Sequence, residues 1–513
     1  MRTKDKESEN SWRIKAVNRN VEIKRLSKEL ARQLLRATIW RRKSLQQGQR
    51  IRELESKLDE KHELESNRVQ VESIRPSKDV VLGCYKYPLS VVWLSIILYK
   101  FGLSFRGVCS VLVFVRDFLG INFQIPSYGS VRVWVLKQGL YFLKQGIKGV
   151  KKGGDKWVLI VDESYSLGKS SLLLVLAVRT NSLKQGQALT LSDVHPIEIR
   201  CNESWKSAEI ALVLKQAMQK LGGTIEYVTS DRGSNLLGAY KLNKLSHVPD
   251  WSHYGANILE DCYGKEIDFK SFNEKMGTFK KKRKQSIFAS YSPPNLSVKI
   301  RFMNYLPFID WANIMLKNFK EIPCEIIPEL QFLNDLNPFI KEMTDLFYAV
   351  QDIGVLIKLQ GICPKTKDKV AIINKKLLNS HPQNLRVTSF TENIDTYFDL
   401  TMPIYAKYVD KNKECPLFFD TLVGSSDIIE SIFGKFKHRC LKDPKRGFSA
   451  IALIIPLFCR HFSPFDVFRA MSSVSVNDLD NWEKESLGKK GYRAFRNVFK
   501  LSKKKGVTFA TAA

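Results

Sequence analysis

The chain has 513 residues, enough for two to four domains, and 44% of them are apolar, a globular rather than a disordered share. Lys and Arg outnumber Asp and Glu by 82 to 52, a formal charge of +30; a field of that size attracts polyanions, because each neutralised phosphate releases condensed counterions. The longest charge-free apolar runs, 87–99 and 447–459, span 13 residues, short of the roughly 20 that a bilayer helix requires, so no membrane partner is expected.

The start, Met1-Arg-Thr-Lys-Asp-Lys-Glu7, lacks the apolar stretch of a signal peptide. Nine cysteines (84, 109, 201, 262, 324, 363, 415, 440, 459) form no Cys-x-x-Cys pair, which predicts free thiols in a reducing, cytoplasmic compartment and no zinc knuckle. Residues 1–76 are charge-dense, with apolar residues at helical spacing (Ile23, Leu26, Leu30, Leu34, then Ile51, Leu54, Leu58) and a break in register near Gln46-Gln-Gly48. A broken, basic helical arm is predicted there, the alternative being a solvated tail.

Residues 77–150 read as a small helical domain. Ser104 is placed to cap a helix carrying Val108, Val111, Leu112 and Val115 that ends near Gly120. Ile121-Asn-Phe-Gln-Ile-Pro126 then leads to Ser127, the cap of a second helix with Val131, Val133, Trp134 and Leu136 turned inward. This is the outline of a helix-turn-helix, and it puts Tyr128, Ser130, Arg132 and Lys137 near the exposed start of the second helix, where base edges are read.

After Lys151-Lys-Gly-Gly-Asp155, read as a linker, the pattern changes to strands: Trp157–Asp162, Ser171–Arg179, and Leu189–Cys201, with Pro196 marking an edge or a bulge. A helix from about Ser204 to Leu221 follows, stopped by Gly222-Gly223, and Ile225–Ser230 forms a fourth strand. A meander, a helix and a fourth strand predict an α/β core with a mixed sheet, extending over 151–254 with a possible fifth strand before Asp250. From 255 to 424 the strand rhythm disappears into aromatic-rich helical runs such as Phe302–Phe319 and Glu342–Leu359, with a basic cluster at Lys280-Lys-Lys-Arg-Lys284. So long a stretch is no loop, and an all-α insertion is expected. The core resumes over 425–480, before a basic tail at 481–513.

Three carboxylates fall where phosphoryl transfer needs them. Asp162 ends the first strand, Asp231 ends the fourth, and Glu430 opens the amphipathic stretch Ser425–Lys437. Magnesium prefers oxygen ligands and retains waters, and two ions bridged by carboxylates can activate an attacking oxygen and stabilise a leaving one. Each position has a plainer reading beside it. Glu163 could replace Asp162, and Asp231 could cap the helix after it. Asp427 and Glu430 fit a capping box, with Asp427 the reserve ligand. His253 in Asp250-Trp-Ser-His253 either supports the site and meets a phosphate or is a structural histidine. Lys435, Lys437 and Arg439 follow Glu430 and either hold a DNA backbone or complement the helix C-terminus. No Gly-x4-Gly-Lys-Ser/Thr loop occurs, so ATP is not expected.

The segments Val161-Asp162-Glu163-Ser164, Ser230-Asp231-Arg232-Gly-Ser-Asn235 and Ser426-Asp-Ile-Ile-Glu430-Ser-Ile-Phe-Gly-Lys435 resemble the DDE transposases of the RNase H-like superfamily, particularly those of bacterial insertion sequences. The resemblance runs discontinuously over about 150–440. It implies an RNase H-like five-stranded mixed sheet with flanking helices, the first aspartate on the first strand, the second after the fourth, and the glutamate on a late helix behind a helical insertion. It further implies Asp162, Asp231 and Glu430 as catalytic and metal-holding residues for two Mg2+ ions (or Mn2+), with Arg232 and His253 among the DNA contacts. The implied activity is cleavage at transposon ends and joining of the 3′-OH to target DNA, by a dimer or larger assembly on double-stranded DNA in the nucleoid. A nuclease or resolvase without strand transfer, and a non-catalytic DNA-binding derivative, are the alternatives.

Overall fold

The computed structural model describes residues 86–145, 156–167, 170–180, 183, 186–294, 302, 305–412, 420–439 and 448–487. The chain separates into a unit of 1–78 and a unit of 79–513, and all described residues belong to the second. The expected N-terminal arm, the linker at 151–155 and residues 488–513 of the expected basic C-terminal tail lie outside them; residues 481–487 of that tail are the end of a helix, Val476–Leu487.

Three helices open the described chain: α1 (Leu89–Phe101), α2 (Phe105–Leu119) and α3 (Tyr128–Gln145). The expected caps are present. The Ser104 Oγ accepts from the Gly107 N–H at 3.0 Å, and Gly120 ends α2 at φ 62°, a left-handed conformation that glycine adopts without a Cβ clash. The Ser127 Oγ accepts from the Ser130 N–H at 3.1 Å at the start of α3.

The strands are β1 (Lys156–Leu167), β2 (Ser170–Arg179), β3 (Val194–Asn202), β4 (Thr224–Ser230) and β5 (His247–Pro249), in the order β3-β2-β1-β4-β5. The first three form an antiparallel meander, while β4 runs parallel to β1 and β5 parallel to β4. Pro196 lies on the edge strand β3, beside an irregularity in its pairing with β2, where a missing N–H is tolerated.

Helices cover both faces, which is why β1 and β2 read as almost continuous apolar runs. On one face Trp157, Leu159 and Val161 of β1 pack with α4 (Ser207–Leu221) and α5 (Ser234–Leu242). On the other, Ile160 joins Leu172, Leu174 and Leu176 against α3 and the C-terminal helices, and Val158 joins Tyr227 and Val248 against the middle of the chain. That middle is helical as expected: α6 (Trp251–Tyr263), α7 (Ile267–Arg283), α8 (Leu306–Lys317), α9 (Asn337–Gln360), α10 (Pro364–Ser380) and α11 (Leu385–Asn412), with short turns between. Its aromatic core is continuous with the sheet through Val158, Tyr227 and Val248. The chain then returns through α12 (Asp427–Arg439), α13 (Pro464–Ser473) and α14 (Val476–Leu487), with helical turns at Ala450–Ile454 and Ile455–Phe458.

The helix-turn-helix outline changes once packing is seen. The α2–α3 connection is eight residues, 120–127, against about 3–4 in that motif. Beyond its first turn α3 is buried on all sides, from Trp134 to Leu143, in one core with the sheet and with 448–479. Lys137 accordingly is only 7% exposed. It does not lie on an accessible reading surface, because the apolar ring around α3 closes over that part of the helix.

Gly139 shows how tight this packing is: a Cβ there would collide with the Leu453 carbonyl oxygen, whereas nothing lies within 4 Å of the corresponding position at Gly277 in α7. Gly139→Ala is expected to destabilise the protein by roughly 1–3 kcal/mol, and Gly277→Ala to stabilise it by about 0.5–1 kcal/mol, both read from urea denaturation midpoints. His195 of β3 provides a pH handle. It stands edge-on to Trp157, and burial, helped by Arg460 and Arg179, pushes its pKa down to about 4. The unfolded chain then takes up a proton near pH 6.5 that the folded chain refuses until about pH 4. Stability is therefore expected to fall as pH drops across that window, and His195→Gln to flatten the slope in pH-dependent denaturation.

Candidate active site

The site is built where β4 and β5 end beside the middle of β1: that strand does not stop at Asp162 as expected but runs on to Leu167, because its pairing with β2 continues to Ser170. In the parallel β1–β4 ladder Leu159 pairs with Val228 and Ile160 with Thr229. Continuing that register by two residues brings Asp162 level with Asp231. Alternation puts Asp162 on the face of Ile160, which shares a core with α12, while Asp231 follows directly on the last residue of β4.

Both carboxylates act on one buried hydroxyl. The buried Tyr240 hydroxyl donates to the Ser230 Oγ at 2.8 Å; burial raises its pKa, and the charges of Asp231 and Asp162 both raise it further. Asp162 is itself buried, at 6% exposure. Asp231 Oδ1 accepts from the Gly233 N–H at 3.1 Å, a local turn just ahead of α5; the N-cap of that helix is Gly233, so Asp231 is not its cap. Glu163 accepts from the Ser171 Oγ at 3.2 Å; its pKa is raised by burial, lowered by that hydroxyl, and raised again by Asp231. It therefore remains an acidic neighbour of the pair.

Glu430 reaches the same end of the sheet from α12. The buried stripe Ile428, Ile429, Ile432, Phe433 and Phe436 fixes the helix against the sheet core, and the Glu430 side chain, 46% exposed, emerges beside it. Its Oε1 lies 3.9 Å from His253 Nε2, and the same nitrogen lies 3.9 Å from Asp250 Oδ2. These are ion-pair distances, longer than hydrogen bonds. Asp427 does not pair with Glu430 as a capping box: its carboxylate accepts from Ser252 Oγ at 3.0 Å and from Lys358 Nζ at 3.1 Å.

Asp250, at the end of β5, is the residue that sequence reading passed over. It is 2% exposed, it caps α6 by accepting from the Ser252 N–H at 3.3 Å, and its Oδ1 also accepts from the Ser426 N–H at 3.1 Å. Burial pushes its carboxyl above the usual range, opposed by His253 and by the Ser426 N–H. The signal was available: a carboxylate directly after the possible fifth strand, at the start of the next helix.

Whether a divalent ion fits can be judged from the donors. Magnesium is satisfied by one or two carboxylates plus waters and phosphate oxygens, and Asp162 and Asp231 offer carboxylates of that kind. Among the described residues, no three His, Cys, Asp or Glu side chains converge closely enough to hold one ion between them. The expected trio is thus brought to one end of the sheet without closing into a single ligand cluster, and Glu430 faces His253.

The expected DNA contacts divide in two. Tyr128 is 54% exposed with the Arg106 guanidinium 5.3 Å from its ring, and Arg132, Lys435 and Lys437 are exposed. Arg232 is exposed too, 5.5 Å from the Tyr254 ring. Ser130 is held in the cap of α3, its Oγ 3.0 Å from Ser127 Oγ. Arg439 is not poised for phosphate. Its guanidinium donates to the carbonyls of Tyr99 and Lys100 at the end of α1, the latter at 3.0 Å, and covers the Tyr99 ring. The acceptors left over at a helix C-terminus claim it.

The sequence matches no protein-family model and no curated protein.

Arg439→Gln is expected to lower stability by about 1.5–3 kcal/mol, the worth of hydrogen bonds from a charged donor, while leaving the salt dependence of DNA binding unchanged. Calorimetry and binding titrations over a salt series would check both; a shallower salt slope would return Arg439 to the DNA contacts.

Proposed function

We propose that the chain is a metal-dependent DNA-processing enzyme, a transposase of the DDE type built on an RNase H-like core. The observation that carries this reading is the register of the parallel β1–β4 ladder, which continued by two residues brings Asp162, within β1, level with Asp231, directly after β4, with Ile160 of β1 in one core with the helix that bears Glu430. First strand, fourth strand and late helix are the three positions that the resemblance assigns to the acidic residues, and a helical region separates the last two. The formal charge of +30 supports a polyanionic substrate.

In this reading Asp162 and Asp231 hold the divalent ions, and Glu430 completes the acidic set from α12. When bound, Mg2+ or Mn2+ supplies Lewis-acid activation of the attacking oxygen and stabilisation of the leaving one. The protein's own part is placement. The β1–β4 ladder holds two carboxylates on rigid backbone, and packing of the Ile429/Ile432/Phe433 stripe holds the third. Exposed cations near the acids, Arg232 beside Asp231 and Lys435 and Lys437 on the glutamate's helix, suit the phosphates on either side of the bond being broken. Pairing two transposon ends calls for at least two protomers.

The test is cleavage and joining of double-stranded element ends in vitro with Mg2+. Asp162→Asn, Asp231→Asn and Glu430→Gln are each expected to reduce cutting by at least about a hundredfold, the scale for losing one preorganised charged partner, with DNA affinity kept. A variant that cuts normally removes that residue from the site. Cutting without joining of the 3′-OH to target would favour a nuclease or resolvase, and binding unaffected by Mg2+ or EDTA with no cutting would leave a DNA-binding protein.

A further inference from the structure

The short segment 250–253 lies where three parts of the structure meet, and each of its residues makes a contact that fixes the start of α12. Trp251 N–H donates to the Gly424 carbonyl at 2.9 Å. The Ser426 N–H donates to Asp250 Oδ1 at 3.1 Å, across 176 residues of chain. Ser252 Oγ donates to Asp427 Oδ1 at 3.0 Å, and His253 Nε2 stands 3.9 Å from Glu430 Oε1. Residues 424, 426, 427 and 430 are thus met in order by 251, 250, 252 and 253.

The same segment is anchored behind. Asp250 N–H donates to the Ser230 carbonyl at 2.8 Å, one residue before Asp231, so the end of β5 is tied to the end of β4. The Trp251 indole donates to the Val350 carbonyl of α9 at 3.0 Å and meets the Tyr397 ring of α11 edge-on. Lys358, near the end of α9, takes the second oxygen of Asp427. Displacement of this segment would therefore move Glu430 relative to Asp231.

We propose that Asp250 is the positioning residue of the candidate active site: its buried carboxylate sets where α12 begins, and so where Glu430 stands with respect to Asp162 and Asp231. The inference rests on the phosphoryl-transfer reading for its functional meaning, but the clasp itself is independent of it. A buried carboxylate with only a capping role would need a single acceptor, and Asp250 uses one oxygen for both the Ser252 and the Ser426 N–H groups while the other faces His253. A carboxylate so far from solvent is costly unless each contact is kept.

Two variants of the full chain separate capping from positioning. Asp250→Ser keeps a short cap for α6 but withdraws the reach to Ser426; Asp250→Asn keeps both acceptor contacts and removes the charge. Hydrogen exchange followed by mass spectrometry is expected to show peptides covering 424–430 exchanging about tenfold faster in Asp250→Ser, with α4 unchanged, and close to wild type in Asp250→Asn. Cleavage turnover is expected to fall in Asp250→Ser and to recover in Asp250→Asn, with DNA affinity equal in all three. Unchanged exchange over 424–430 in Asp250→Ser, or equal exchange in the two variants, overturns the proposal. If the wild type cuts no DNA, the exchange result still decides the clasp, and it is the enzymatic reading that falls.

Discussion

Parallel pairing between β1 and β4 is the constraint on which the rest of this structure depends. Parallel neighbours need a crossover between them, and here β2, β3 and α4 supply it before the chain returns as β4 beside β1. Both strands then run the same way, so their register brings Asp162, within β1, level with Asp231, directly after β4. The ladder does this with rigid backbone. Burial of both faces under helices keeps β1 apolar up to Asp162.

Everything that arrives from elsewhere must be registered to that ladder. The segment leading to α12 is strapped onto β4 by two bonds, the Thr229 Oγ1 donating to the Val423 carbonyl at 2.7 Å and the Val423 N–H to the Tyr227 hydroxyl at 2.8 Å. The helical middle of the chain contributes Lys358 and the backing for Trp251. It is therefore more than a bulky excursion between two halves of a sheet: its aromatic core reaches the strands through Val158, Tyr227 and Val248. A single hydrophobic continuity joins sheet, insertion and return segment, which gives a late helix a defined position over an early strand.

The strand and helix pattern was largely legible in the sequence, because periodicity and caps are local. The order of the meander, α4 and its stop at Gly222, the Ser104 cap and the Gly120 terminus all stand where residue spacing puts them, although β1 runs on past Asp162 to Leu167 and β3 begins at Val194 rather than Leu189. Asp162 stood out for a similar reason, since a carboxylate directly after five apolar residues is conspicuous. What misled was surface assignment. Lys137 and Arg439 are basic residues on helices in a basic chain, and nothing local distinguishes them from Lys435 or Arg132. Their partners, the packed core around α3 and the carbonyls of Tyr99 and Lys100, come from segments hundreds of residues away.

The sequence by itself determined which elements carry the candidate residues: a run of apolar residues dictates a strand, and the carboxylate that follows the run is carried on it, although β1 continues past Asp162 to Leu167. Only the tertiary structure decided how those residues face one another. It set Glu430 beside His253 rather than in a closed trio, drew Asp427 to Ser252 and Lys358, and made Asp250 the link between β5 and α12. The physical reason is range. Strand and helix formation depend on neighbours within a few residues, whereas the position of one charge relative to another is fixed by packing and hydrogen bonds between segments that the chain order leaves far apart.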